Sequence, residues 1–309
     1  MAEPSRDRAE ISRGAYARLP EAARSALERP RFEVVPIKGA LEQASRLPSG
    51  AEVSITCSPT LGIENTLALA EKLSDQGFRV VPHVSARLVT GEDHLKEILR
   101  RLDDSRLSDV FVVGGDSKEP AGPFTNGLEL LRAMSQLGHG IQRVGIPAYP
   151  EGHPLVGEKE LTRALLDKQE FASYMVTQIC FDPEVLLGWL RDIRRRGVEL
   201  PAYIGLPGAV DRGKLLRISL KIGIGESVRY LRKQHGWMSR LMLHGGYSPD
   251  HLVKTLSPHV GDTVYRIQGF HLNTFNQVES TERWRREMLG YSDVEGGQEG
   301  LRPTQGGHR

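Results

Sequence analysis

The 309-residue sequence predicts an α/β fold, a (β/α)8 TIM barrel with an N-terminal helical extension. Eight apolar segments of strand length alternate with segments of helical periodicity, which is the count that such a barrel requires. Several strand segments are continuously apolar, as in VFVV (110–113), and this is typical of parallel strands covered on both faces. A doubly wound sheet would need fewer strands or an appended domain, so the barrel is the favoured interpretation.

The elements follow one another from residue 31 onward. The predicted strands are FEVVPI (32–37), EVSITCS (52–58), FRVVPHVSA (78–86), SDVFVVGGD (108–116), QRVGIPAYPEGHP (142–154), YMVTQICFD (174–182), LPAYIGLPG (200–208) and TVYRIQGFHLNTFN (263–276). The predicted helices are 41–47, 63–76, 93–102, 127–137, 158–171, 183–197, 212–243 with 250–256, and 278–289. We therefore predict a helical extension at 1–30, the catalytic barrel at 31–291, and a Gly-rich tail at 292–309 that we expect to be disordered.

The overall charge argues against polyanionic partners. Lys and Arg total 41 against 39 Asp and Glu, for a net charge of +2, so neither nucleic acid nor a membrane surface is an expected partner. Cys57 and Cys180 both lie in apolar runs and predict reduced, buried thiols. No segment approaches the roughly 18 apolar residues of a membrane span. We expect a cytoplasmic protein with a small-molecule substrate, and a homo-oligomer is left open.

Polar residues are concentrated where the predicted strands end. Barrel enzymes build their active sites at this face, from the C-terminal ends of the strands. The candidates at these positions are Glu33, Ser58, His83, Asp116, Glu151, His153, Gln178, His271 and Asn273. The sequence therefore predicts an active site at this end of the barrel.

Each candidate also has a structural interpretation. Glu33 lies in an apolar strand, where burial raises the pKa of a carboxyl group and suits a general acid, although a salt-bridged glutamate is equally compatible. His83 alone is more often structural than catalytic, and Asp116 after two glycines is compatible with a functional carboxylate or an Asx-turn. The amide of Gln178 suits either a heterocyclic ligand or a hydrogen bond in the core.

Motifs for other chemistries are weak or missing. The histidines form no HxH or HExxH pair and the cysteines no CxxC, so no metal site is predicted. GIGES (223–227) follows a helical pattern and is better explained as a helix break than as a phosphate loop.

Six segments in order resemble the methylenetetrahydrofolate reductase family in its short, barrel-only form. FEVVP (32–36) resembles FEFFPP, VPHVSA (81–86) the third-strand PHLTC, VVGGDS (112–117) the fourth-strand RGD segment, and AYPEGHP (148–154) the fifth-strand motif. VTQICFD (176–182) resembles ITQFFFD, and GFHLNTFN (269–276) resembles the final HFYTLN strand. The resemblance spans about 32–276 and implies reduction of 5,10-methylenetetrahydrofolate to 5-methyltetrahydrofolate, in one-carbon metabolism and methionine biosynthesis.

The resemblance also implies roles for individual residues. Glu33 occupies the place of the general acid that opens the folate's five-membered ring, and Asp116 the place of a catalytic aspartate near the pterin. Substrate binding is implied for Asp116, Gln178, Phe181 and Asn273. Cofactor binding is implied for Ser58, His83, Gly115, Tyr149 and His153.

Three departures from the family pattern bear on the cofactor. Gly114 replaces the arginine that serves flavin binding, Gln277 replaces the final-strand arginine, and Lys168 alone remains of a set of flavin-binding groups in the fifth helix. These losses argue against bound FAD and favour direct hydride transfer from NADH, with NADPH left open. The alternatives are the same reaction through FAD, a folate-dependent methyl- or methylene-group transferase, and a non-catalytic folate-binding barrel, against which Glu33 argues.

Overall fold

The structure, a computed structural model, describes residues 19–210 and 248–291. Its strands are β1 (Arg31–Val34), β2 (Glu52–Ile55), β3 (Arg79–Ser85), β4 (Asp109–Val113), β5 (Arg143–Ala148), β6 (Tyr174–Thr177), β7 (Ala202–Pro207) and β8 (Ile267–Asn273). The α-helices in these ranges are α1 (Glu21–Glu28), α2 (Ala40–Ala44), α3 (Gly62–Asp75), α4 (Glu92–Asp104), α5 (Gly127–Leu137), α6 (Glu158–Lys168), α7 (Pro183–Arg195), α8 (Asp250–Leu256) and α9 (Val278–Met288).

The strands form a closed barrel in sequence order, and every neighbouring pair is parallel. The barrel closes where β1 pairs with β8, with Arg31 opposite His271 and Glu33 opposite Asn273. Helices follow the strands and cover the outside of the sheet, as the alternating pattern of the sequence requires. The predicted (β/α)8 TIM barrel is confirmed.

The main apolar core lies between the sheet and the surrounding helices. Strand residues such as Val53 and Val110 are buried there together with Leu67 of α3 and Leu95 of α4. A separate apolar cluster of Val81, Phe111, Tyr174 and Val176 contacts side chains of the barrel interior. The strands thus bury side chains on both faces, which explains continuously apolar runs such as VFVV (110–113).

A buried arginine lies inside the barrel toward the N-terminal ends of the strands. The Arg31 guanidinium lies 3.9 Å from the ring centre of Tyr174 and 4.1 Å from that of Tyr203. It forms ion pairs with Glu52 and, at 3.1 Å, with Oδ2 of Asp109, whose Oδ1 accepts a 2.7 Å hydrogen bond from the Tyr174 hydroxyl. Two carboxylates and two aromatic faces therefore compensate one cation that is almost wholly removed from water.

All eight strands are shorter than predicted, and contacts in the structure explain two of these ends. β1 stops at Val34 because the carboxamide of Asn276 takes over both backbone groups of Val35, accepting from its N–H at 2.8 Å and donating to its carbonyl at 2.9 Å. β8 begins at Ile267 because a turn precedes it, in which the N–H of Arg266 donates to the carbonyl of Asp262 and φ of Arg266 is 53°.

The structure tests the predictions about the cysteines and about membrane spans, whereas other predicted segments lie outside the described residues. Both cysteines are free, and Cys180 is buried, but Cys57 is only half-buried because it follows β2 instead of lying within it. No helix within 19–210 or 248–291 is long and apolar enough to cross a membrane. The predicted helix 212–243 and GIGES (223–227), most of the 1–30 extension, and nearly all of the tail fall outside the described ranges.

Candidate active site

Three titratable side chains from separate strands meet near the C-terminal ends of the barrel strands. Oε2 of Glu33 on β1 lies 3.1 Å from Nε2 of His271 on β8 and 3.9 Å from Nε2 of His83 on β3. His83 Nε2 is in turn 2.8 Å from the Ser54 hydroxyl on β2. The two histidines and Ser54 are buried, whereas the Glu33 side chain keeps 18% of its surface exposed.

Strand register brings these groups to the barrel interior. Alternate residues of a strand point to the same face, so Arg31 and Glu33 both point inward, with Arg31 one layer deeper. Glu33 is opposite Ser54 in the pairing of β1 with β2. Its backbone carbonyl accepts hydrogen bonds from Thr274, from the N–H at 3.2 Å and from the hydroxyl at 2.7 Å. The chain beyond β8 therefore holds the backbone of Glu33 from the side on which the barrel closes.

The electrostatics of Glu33 differ from the sequence-based expectation. Burial raises the pKa of its carboxyl group, but the hydrogen bond from His271, together with charge interactions with His271 and His83, outweighs burial. The net result is a pKa below the ordinary glutamate value. The expectation of a raised pKa is therefore wrong, because a donor 238 residues away in the sequence contacts the carboxylate.

His83 is held as a neutral ring. Burial lowers the pKa of His83 to about 4, more than the negative charge of Glu33 raises it, and His271 lowers it further. One face of the ring lies against Phe111, with ring centres 4.6 Å apart. His83 therefore contributes hydrogen bonding and bulk to the site, and no positive charge, at neutral pH.

The two glycines after β4 form a tight turn beside β3. Gly115 has φ of +96°, and a Cβ atom built there would lie 2.0 Å from Oγ of Ser85. Only glycine fits this conformation and spacing. A Cβ at Gly114 meets nothing within 4 Å, so crowding around the backbone does not explain why this residue is not an arginine.

Asp116 lies at the rim, where it is exposed and close to β5. Burial, followed by the negative charge of Asp116, raises the pKa of Tyr149 to about 12. The Tyr149 ring meets His153 edge-on with ring centres 5.0 Å apart. In the described part of the chain, no hydrogen bond or ion pair links Asp116 or His153 to Glu33.

A cavity of about 270 Å³ opens beside Tyr149, between the end of β5 and the helices α6 and α7. Tyr149, Glu151, Lys168 and Trp189 contribute to its lining. The Lys168 ammonium group forms no hydrogen bond or ion pair within the described ranges, and burial lowers its pKa. A desolvated cation in a cavity suits an anionic ligand group.

The remaining predicted residues are engaged locally. Oε1 of Gln178 accepts from the N–H of Ile179 at 3.2 Å, and the Ser58 hydroxyl accepts from the N–H of Leu61 at 3.3 Å. Nδ2 of Asn273 donates to the carbonyl of Leu206 at 3.2 Å. Phe181 is buried after β6. These residues surround the mouth of the barrel without contacting Glu33 through hydrogen bonds.

Comparison with known proteins gives the chain its family. Residues 39–209, more than half of the chain, match the family model described as methylenetetrahydrofolate reductase. The chain belongs to the methylenetetrahydrofolate reductase family. The match contains His83, Asp116 and Lys168 but neither Glu33 nor His271, so the Glu33–His271 contact is known from the closure of the barrel alone.

Two solved structures are similar to this chain to different degrees. An uncharacterized protein from Clostridium thermocellum that binds two copies of 5-methyl-5,6,7,8-tetrahydrofolic acid superposes with a TM-score of 0.54 at 14% identity, covering 84% of this chain and 93% of its own. The carboxyl transferase domain of Rhizobium etli pyruvate carboxylase has a TM-score of 0.44 and 9% identity, over 96% of this chain and 54% of its own. The first similarity shows the barrel fold of this methylenetetrahydrofolate reductase family member.

Sequence reasoning did not identify Ser54, and it noted His271 only as a polar strand end. The signal for Ser54 is its place in EVSI, where it alternates with valine and isoleucine and therefore points to the other face.

Among the described residues of this family member, no three His, Cys, Asp or Glu side chains group to form a metal site.

Proposed function

We propose that this family member reduces 5,10-methylenetetrahydrofolate to 5-methyltetrahydrofolate, taking hydride directly from NADH, with Glu33 as the general acid. One observation carries the proposal: a partly exposed carboxyl group at the C-terminal mouth of the barrel, held on one oxygen by His271. The structural neighbour from Clostridium thermocellum, which binds a methyltetrahydrofolate, supports a folate as the ligand of this face.

The reaction needs an acid because the folate accepts hydride only after its ring opens. Protonation of N10 breaks the bond from the methylene carbon to N10 and leaves an iminium at N5, which is the electrophile. Glu33 supplies this proton through its minor protonated form. A bound folate removes water from the exposed part of the carboxyl group, and this desolvation favours the protonated form at the moment of reaction.

The other candidate residues orient the two ligands in this proposal. Asp116 and Gln178 carry an acceptor and an amide that match the edge of the pterin. Lys168 and the adjoining cavity serve a phosphate of NADH, since the ammonium group is desolvated and lacks a partner among the described residues. The cavity is slightly below the roughly 300–1,000 Å³ of pockets that enclose a whole drug-sized ligand, and suits part of a dinucleotide.

FAD fits the described residues poorly. The Gly114 position has space for a side chain and offers no guanidinium, and His83 Nε2 is already engaged with Ser54. Each missing charge-assisted hydrogen bond forfeits about 1.5–3 kcal/mol of binding. The absorption spectrum of the purified protein tests this point: we expect no flavin bands, and a stoichiometric flavin would replace direct transfer with the FAD-dependent reaction.

Replacing the acid tests the reaction itself. We expect wild-type protein to oxidise NADH only when methylenetetrahydrofolate is present, and Glu33→Gln to lower kcat about 10²–10⁴-fold with folate binding retained. Glu97→Gln on α4, where Glu97 pairs with Arg100 on the surface, is the matched control and should keep full activity. Equal turnover in Glu33→Gln and wild type would remove Glu33 from the role of acid.

A further inference from the structure

The contacts of Glu33 are unequal for its two oxygens. Nε2 of His271 and Nε2 of His83 both approach Oε2, at 3.1 and 3.9 Å. Within the described ranges Oε1 receives no hydrogen bond, and the side chain keeps part of its surface exposed at the mouth of the barrel. One oxygen is therefore anchored in the barrel wall and the other is accessible.

His271 contacts Glu33 through Nε2, and its other ring nitrogen lies in the barrel interior. Its Nδ1 is buried and has no hydrogen-bond partner among residues 19–210 and 248–291. A doubly protonated ring would need an acceptor there, because an N–H buried without a partner is unfavourable. A ring with its proton on Nε2 donates to the carboxylate and leaves only the lone pair of Nδ1 without a partner among the described residues.

The other groups that face Glu33 do not compete for this role. β3 presents His83, which is already bound to the Ser54 hydroxyl of β2 at 2.8 Å. On β7 the residue opposite His271 is Gly205, which has no side chain, and on β1 the residue opposite His271 is Arg31, which is paired with Glu52 and Asp109. His271 is thus the one described side chain within hydrogen-bond distance of the Glu33 carboxyl group.

We propose that His271 is the positioning residue of the proton-transfer step: it holds Glu33 by Oε2, so that Oε1 is the oxygen that carries the proton and delivers it to the folate. The inference deepens the proposed reductase function and rests on it. In the step, the O–H bond at Oε1 breaks as an N–H bond forms at N10, and the electrons of the bond between the methylene carbon and N10 pass to N10. Hydride from NADH then forms the new C–H bond, NAD⁺ is released, and solvent returns a proton to Oε1.

Two substitutions separate the donor function of His271 from its bulk. His271→Gln keeps an N–H near the position of Nε2, whereas His271→Leu fills the space without a donor. His139→Leu, in an exposed loop after α5, is the control. The measurements on the full-length protein are the pH profile of kcat and the 13C NMR titration of the Glu33 carboxyl group, assigned with Glu33→Gln.

Loss of the donor should raise the pKa of Glu33, since a hydrogen bond to the charged form is removed. In wild type, kcat should fall as rising pH deprotonates Glu33, and this limb of the pH profile should lie about 1 pH unit or more higher in pH in His271→Leu. The same limb should stay near the wild-type position in His271→Gln and in the control. An unmoved limb in His271→Leu, or equal shifts in the Leu and Gln variants, would overturn the inference.

The titration distinguishes failure of this inference from failure of the proposed function. If the protein does not reduce methylenetetrahydrofolate but the Glu33 carboxyl titrates higher in His271→Leu than in wild type, the reductase proposal fails and the anchoring role of His271 stands. If His271→Leu does not fold, the wild-type titration decides: a Glu33 pKa at or above the ordinary glutamate value would refute anchoring by His271, and a lower one supports it.

Discussion

Arg31 is a paired charge buried in the barrel interior, and Arg31→Met tests how much it stabilises the fold. The substitution leaves the carboxylates of Glu52 and Asp109 in the interior without their cation, and it removes two aromatic contacts at 3.9 and 4.1 Å. Breaking a buried ion pair by removing one partner costs about 3–5 kcal/mol. The methionine side chain recovers little of this cost, because it cannot neutralise the two carboxylates.

The expected loss of unfolding free energy is therefore about 4 kcal/mol near pH 8. At about 2.1 cal/mol/K per residue over 309 residues, this corresponds to a fall in Tm of about 6 °C. Urea denaturation followed by circular dichroism measures the free energy, and calorimetry measures Tm. Arg79→Met is the matched control, because Arg79 is exposed and lies 4.0 Å from the same Glu52 carboxylate. That change should stay within about 0.5 kcal/mol.

The loss should also depend on pH, with a definite sign. Burial raises the pKa of Asp109 above its ordinary value even with Arg31 present. A carboxyl group whose pKa is higher in the folded state binds more protons when folded, so its contribution to stability falls as pH rises through the interval between the two values. Removing Arg31 raises the folded pKa further and widens that interval. Arg31→Met should thus be less destabilising at pH 5 than at pH 8, and a loss below about 1 kcal/mol that is equal at both pH values would refute the reasoning.

Two further predictions concern the glycine turn after β4 and the cavity beside Tyr149. Gly115→Ala places a Cβ 2.0 Å from Oγ of Ser85 at φ of +96°, and should lower the free energy of unfolding in urea by about 3 kcal/mol. Gly114→Ala is the control, because its Cβ meets nothing within 4 Å, and it should cost under about 1 kcal/mol. Equal effects of the two substitutions would contradict the geometry of the turn. In the proposed function, the Lys168 ammonium group, which has no partner among the described residues, binds NADH. Lys168→Met should therefore raise KM for NADH about 10-fold or more without lowering Tm, and an unchanged KM would remove Lys168 from the NADH site.

The fold could be predicted from the sequence because strand burial leaves a direct signal. Segments such as VFVV before Gly114 are apolar on both faces only when helices cover one side and other strands the other. The ends of the strands were less accurate, since the end of β1 depends on Asn276, whose side chain replaces the sheet partner of Val35. Asn276 lies 241 residues from Val35 in the sequence, so no local pattern around Val35 predicts this contact.

The place of the candidate site in the barrel could be predicted from the sequence, whereas the electrostatics of Glu33 could not. Polar residues at strand ends indicated the face, and the resemblance of FEVVP indicated Glu33 as the acid. The direction of its pKa depends on His271, and that contact exists only after β8 pairs with β1. Burial could be anticipated from the apolar neighbours of Glu33, whereas the donor that outweighs burial could not.

The closure of the barrel between β1 and β8 also has a consequence for how the enzyme matures. Glu33 lies on the first strand, and its hydrogen-bond donor, together with the Thr274 groups that hold its backbone, lies on and just after the last. A nascent chain folded only through β7 has the carboxyl group but nothing to hold it. If Glu33 is the acid, as proposed above, activity requires a completed sheet, and turnover then reports that β1 and β8 have paired.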